Sequence, residues 1–175
     1  GRLFAQAAYE NDNPTVGLLC NGSEEEKGAP EVKEAHKLIK EHNLPNFIGN
    51  IEGRDVFSGD LDVLVCDGYS GNVFMKTSEG VSNWMGKMVK DMVKKNFWTK
   101  LSYLHLRKGL KNMQEVMDYK SIGGAMLLGI NGIAVKGHGN SDAYAFYHMI
   151  RMSYQLAKMK IIDKIKDALN EHNEE

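Results

Sequence analysis

Apolar and polar positions change their period several times along the chain. Arg2 to Glu10, "RLFAQAAYE", has helical character. "TVGLLCN" (15–21) is a short apolar run ending in turn residues, the pattern of a buried strand. "EVKEAHKLIKEH" (31–42) places Val32, Ala35, Leu38 and Ile39 at amphipathic-helix spacing. "LPNFIGNI" (44–51) predicts a second strand, and "EGRDVFSGD" a short helix or turn. "LDVLVCD" (61–67) predicts a third strand, apolar enough to be covered on both faces. Strands alternating with helices predict an α/β fold with a largely parallel sheet.

The pattern then becomes helical from Gly71 to about Met117, in two long segments separated by "NFWTK". That arrangement predicts a helical hairpin with an aromatic tip, spanning about 80–118. Strand character returns in "GGAMLLGINGIAVKGHG" (123–139). A single long helix is expected from Ser141 to about Asn170, capped by Asn140 or Ser141, with Asp142 favourably placed at its positive end.

Composition narrows the class. The chain has 175 residues, 42% of them hydrophobic, which suits one domain or a large part of one with a real core. The net charge of −1 gives no pull toward nucleic acid. Cys20 and Cys66 lie far apart in apolar runs without metal-ligand spacing, so they are expected as buried free thiols in a reducing cytosol. No signal peptide and no bilayer-length apolar stretch is evident. The chain opens on Gly1 and runs at once into helical sequence, which suggests a start inside a larger protein or at a processing scar.

Four stretches could carry chemistry. In "VCDGYSGNVFMKTSEG" (65–80) a strand ends in Asp67, Gly68 and Gly71 allow a tight turn, and Asn72 is expected to open a helix with Lys76 one turn on. Backbone N–H groups at a helix start bind anions, and ligands in parallel sheets bind beyond the carboxyl ends of strands. A phosphate or oxyanion pocket is one reading; an ordinary strand-to-helix turn is the other, and the residues alone favour it. In "VKGHGNSD" (135–142), Lys136 and His138 enter a loop between Gly137 and Gly139, just ahead of a helix. A cation, a proton carrier, a flexible backbone and a helix N-terminus fall within a few residues. A solvated surface loop explains the same residues equally well. "GLLCNGSEEEKG" (17–28) reads first as a solvated charge run. Phe97, Trp98, Leu101, Tyr103 and Leu104, among Lys94, Lys95, Lys100, Arg107 and Lys108, suit an anionic membrane surface, a dimer interface or a local core.

Three segments in order, "NPTVGLLCNGSEEEKG", "NFIGNIEGRDVFSGDLDVLVCDGYSGNVFMKTSEG" and "SIGGAMLLGINGIAVKGHGNSDA", closely resemble the C-terminal half of the bacterial phosphate acyltransferases of phospholipid synthesis (the PlsX family). The resemblance covers nearly the whole chain. It departs at "LLCNGSEE", where "LLNIGEE" is more usual, and at "KGHG", where "KAHG" is. An N-terminal half of comparable size, opening on an "AMGGD"-like segment, is not seen in this sequence.

The resemblance implies that residues 1–175 are the C-terminal portion of such an enzyme. It implies a three-layer α/β/α sandwich with a mostly parallel sheet, related to isocitrate and isopropylmalate dehydrogenases, with a protruding helical hairpin. The implied activity moves a fatty acyl group from acyl carrier protein to inorganic phosphate, giving acyl phosphate for phospholipid synthesis. The implied protein is a cytoplasmic homodimer with peripheral membrane contact and no organic cofactor or metal. His138, Lys136, Lys76 and Asn72 are then the expected catalytic groups. Asp67, Gly71, Gly139 and Asn140 are expected at the phosphate, and Phe97, Trp98 and Leu101 at the membrane. Two alternatives stay open: a short-chain phosphotransacetylase-like enzyme, and a truncated fragment acting only in dimerisation or membrane contact.

Overall fold

A computed structural model of the chain describes residues 1–117, 123–139 and 141–173. Helix α1 (Arg2–Tyr9) leads into strand β1 (Val16–Cys20), helix α2 (Pro30–Glu41), strand β2 (Phe47–Glu52) and strand β3 (Val63–Val65). The three strands form one parallel sheet in the order β2-β1-β3. β1 lies between the other two strands, and its Val16 and Leu18 are buried. Gly17 lacks the Cβ that would collide with Ile51 of β2, so the two strands can pair closely.

The expected third strand is shorter and more open than its sequence suggests. β3 is three residues long at one edge of the sheet, and Val65 is 39% exposed rather than covered on both faces. An edge strand has a ladder partner on one side only, so apolar composition alone does not bury it. What anchors β3 is polar. Asp62 Oδ2 accepts from the Thr15 N–H at 2.8 Å and from its hydroxyl at 3.0 Å, while the Asp62 N–H donates to Thr15 Oγ1 at 2.9 Å. Those bonds, the Thr15 N–H foremost, hold the Asp62 carboxyl below its usual range.

Helix α3 (Gly68–Lys94) and helix α4 (Phe97–Met117) follow. The break between them is at Lys95 and Asn96. "NFWTK" is therefore the start of α4 and not a loop tip. The reason is a reciprocal cap: Asn96 Oδ1 accepts from the Thr99 N–H at 2.9 Å, and Thr99 Oγ1 accepts from the Asn96 N–H at 3.1 Å. A cavity of about 360 Å³ is lined by Gly86, Val89 and Val93 of α3 and by Tyr103, Leu110 and Met113 of α4, with Lys90 and Lys94 beside them.

Strands β4 (Ala125–Met126) and β5 (Val135–Lys136) form a separate antiparallel pair. The expected long final helix is two helices, α5 (Ala143–Lys158) and α6 (Ile161–Asn173). Lys160 takes a left-handed φ of 52° and breaks the run, and the next residue, Ile161, is fully buried. A left-handed position usually advertises itself as glycine; a lysine there leaves no mark in the sequence. α6 packs on α1. Both cysteines are free, but Cys20 is half-buried and Cys66 exposed, against the expectation of two buried thiols.

The chain divides into two compact units. One holds Gly1–Phe74, Leu128–Ile133 and Leu156–Glu175, and with them the parallel sheet; the other holds Met75–Leu127 and Ala134–Gln155. No described helix is long and apolar enough to cross a membrane.

Candidate functional site

In the sheet-bearing unit, β3 ends at the turn that carries Asp67. Helix α3 begins at Gly68, four residues before the expected start at Asn72. Asp67 is its cap: Oδ1 accepts from the N–H groups of Tyr69 and Ser70, both at 2.8 Å, and its carbonyl accepts from the Gly71 N–H at 3.0 Å. Hydrogen bonds from Ser70, side chain and backbone, and from Tyr69 hold the Asp67 carboxyl below its usual range. The backbone donors expected for an anion near Gly71 are thus engaged within the helix, and the cap position already holds a carboxylate. Gly71 is required for space, since a Cβ there would lie 2.6 Å from Cys66 Sγ. Asn72 is exposed in the helix interior.

In the same unit, residues 23–27 of the acid-rich loop after β1 are exposed, as a solvated charge run should be, and its backbone is tied to the sheet. Buried His36 of α2 lies 3.0 Å from Asn50 Oδ1 through Nδ1. Asn50 Nδ2 donates to the Glu24 carbonyl at 2.7 Å, so its oxygen is the acceptor and His36 Nδ1 the donor. Glu25 pairs with Lys40.

The second unit brings Lys76 and His138 together through a residue that sequence reasoning missed. Glu79 Oε2 accepts from Lys76 Nζ at 2.9 Å, and Glu79 Oε1 lies 3.5 Å from His138 Nε2. The Glu79 side chain is 15% exposed, against 52% for Lys76 and 35% for His138. The carboxylate therefore lies inward, with the two nitrogen bases toward solvent. The available signal was the i,i+3 spacing of Lys76 and Glu79 on one helix face.

The loop carrying His138 is fixed by its neighbours. The His138 carbonyl accepts from the Ser141 hydroxyl at 2.7 Å and from its N–H at 3.1 Å. A Cβ on Gly137 would sit 2.8 Å from Met149 Sδ and 3.3 Å from Ser141 Oγ, and Gly137 has no left-handed φ. Space, not an unusual backbone angle, is what glycine supplies at this position. Gly123, with φ of 92°, lies against the α5 backbone at His148 and Met149, and Gly124 against the Lys136 carbonyl. α5 is capped by Asp142, whose Oδ1 accepts from the Ala145 N–H at 2.9 Å, in place of the expected Asn140 or Ser141.

Lys136 projects exposed from β5, without an ion pair among the described residues, and Gly139 is exposed. Asn140 lies outside the described residues, as does the side chain of Phe97. Trp98 and Leu101 are exposed on α4, at 73% and 42%. The arrangement can hold an anion with side-chain cations and move a proton through an imidazole backed by a carboxylate.

Comparisons with known proteins give this chemistry a context. The chain is 44% identical over 169 residues to a phosphate acyltransferase of Clostridium perfringens (strain SM101 / Type A), covering 97% of this chain and 50% of the relative. It is 42% identical over 171 residues to one of Citrifermentans bemidjiense (98% and 48%), and 40% over 173 residues to one of Campylobacter jejuni (99% and 52%). The chain thus spans about half the length of the curated relatives it matches. A family model described as fatty acid synthesis protein matches residues 1–164, and with that match the chain belongs to the fatty acid synthesis protein family.

Proposed function

We propose that the chain is part of a phosphate acyltransferase that moves a fatty acyl group from acyl carrier protein to inorganic phosphate. The carrying observation is the Lys76–Glu79–His138 cluster in a chain whose relatives bear the name phosphate acyltransferase. A phosphate oxygen attacks the thioester carbonyl carbon. The C–S bond breaks, and the leaving thiolate takes the proton that phosphate gave up. Lys76 holds the phosphate, and Lys136 meets either the phosphate or the oxyanion that forms. His138 takes the proton from phosphate and passes it to the thiolate. Asn72, Gly139 and Asn140 serve as neutral contacts to the phosphate. Asp67 and Gly71 shape the start of α3.

The reading extends to architecture and setting. The parallel sheet and its helices fit a larger α/β/α sandwich of the isocitrate and isopropylmalate dehydrogenase kind. α3 and α4, lining a common cavity, fit a protruding hairpin that serves a homodimer and a peripheral membrane contact through Phe97, Trp98 and Leu101. The exposed Trp98 and Leu101 among lysines support that contact.

The test is formation of acyl phosphate from long-chain acyl carrier protein and labelled phosphate, with acetyl-CoA as the competing donor. Long-chain product with no acetyl phosphate is the expected result. Acetyl phosphate alone would make the protein phosphotransacetylase-like, and thioester loss independent of phosphate would sink both readings. For the membrane, Trp98→Glu is expected to reduce binding to anionic liposomes, and unchanged binding removes α4 as the contact.

A further inference from the structure

Glu79 belongs to none of the roles above, yet it is the most enclosed member of the cluster. Its two oxygens are divided, Oε2 to Lys76 at 2.9 Å and Oε1 to His138 Nε2 at 3.5 Å. Each partner is anchored independently: Lys76 sits one turn earlier on α3, and the His138 backbone is tied to Ser141. The burial gradient, 15% exposed for the carboxylate against 35% and 52% for its partners, puts Glu79 behind them as seen from solvent. An anion arriving from solvent meets the lysine and the imidazole first. Glu79 supports them from behind and does not occupy the anion's place.

We propose that Glu79 is a positioning residue for the acyl transfer, which rests on the function proposed above. Its Oε1, 3.5 Å from Nε2, favours the proton on that nitrogen of His138 and so biases the ring tautomer. A carboxylate facing one imidazole nitrogen biases both tautomer and ring orientation, and losing it leaves the proton acceptor on the other nitrogen in part of the population. Glu79 touches no reacting atom, so its loss acts through His138.

Two measurements decide this, and they fail separately from the function itself. The first needs no turnover. Nitrogen-15 spectra of the His138 ring, taken where the imidazole is neutral, are expected to show the Nε2–H tautomer in the unaltered protein. A mixture is expected in Glu79→Gln and Glu79→Ala. A tautomer ratio unchanged in both variants overturns the proposal, whatever the protein catalyses. The second is kinetic. Glu79→Gln is expected to lower kcat on the order of 10- to 100-fold without raising KM for phosphate, with Glu79→Asp recovering part of the loss. Full kcat in a folded Glu79→Gln protein, checked by circular dichroism, overturns it too. If the unaltered protein makes no acyl phosphate, the functional reading falls, and the tautomer spectra still decide Glu79.

Discussion

Two strand-to-helix junctions carry the glycine-rich stretches, and they solve the same problem differently. At the junction from β3 to α3, Asp67 caps the helix directly after the strand region, with its carboxylate on the Tyr69 and Ser70 N–H groups. From β5 to α5, Asp142 caps the helix, but five residues, 137–141, intervene after the strand. His138 stands in that interval and meets Glu79. In both, the helix N-terminus that would attract an anion is occupied by the chain's own carboxylate. Under the proposed function, the charged contacts to the anion therefore fall to the side chains of Lys76, Lys136 and His138. The lesson is that a glycine-rich loop before a helix is a site only if the cap leaves something else to bind with.

The sharpest break of this comparison is at His138. His138→Ala is expected to lower acyl phosphate formation on the order of 10²- to 10⁴-fold, the range for a general acid–base group. Activity within twofold of the unaltered protein would make the second junction as structural as the first.

Next come the glycines. Gly71→Ala and Gly137→Ala are each expected to lower unfolding free energy by about 1–3 kcal/mol in urea titrations. Gly71→Ala should cost more. Its Cβ meets Cys66 Sγ, held one bond from its own Cβ, whereas at Gly137 it meets the flexible end of Met149. Gly71→Ala combined with Cys66→Ala should recover most of the loss. Equal costs without recovery would mean that backbone freedom, not space, selects glycine at position 71.

The caps follow. Asp67→Ala and Asp142→Ala are each expected to cost about 1 kcal/mol. A negligible loss at Asp67 would show that its two N–H contacts do not persist in solution.

The smallest effect is in pH. Asp67 has a depressed carboxyl pKa in the folded state, so its contribution is present above the ordinary Asp range and is lost as pH falls through the folded value. Between about pH 6 and pH 2 the melting temperature of Asp67→Asn should fall less steeply than that of the unaltered protein. Parallel curves would remove the linkage.

Several elements were legible because they are local. The apolar run "VGLLC" and the 3.6-residue spacing of Val32, Ala35, Leu38 and Ile39 yield β1 and α2 nearly to the residue. The start of α3 was legible in principle, since an Asp ahead of a helical run is a capping signal, but Gly68 and Gly71 diverted it into a turn. Asn96 and Thr99 similarly spelled a helix start inside "NFWTK". The break at Lys160 was not legible, because nothing in its side chain announces a left-handed backbone. Val65 shows the limit for burial: strand composition does not say which strand becomes an edge.

By itself the sequence determined the α/β alternation, the long helical middle, and the two stretches holding Lys76 and His138. Each of these is written in residues a few positions apart, within reach of backbone periodicity and capping. Only the tertiary structure decided that Lys76 and His138 share a carboxylate. Sixty-one residues lie between them, and along that stretch Gly123 packs against the α5 backbone and Gly124 against the Lys136 carbonyl, where a Cβ would collide. Contacts between distant segments are set by which surfaces exclude each other least, and no local pattern encodes that.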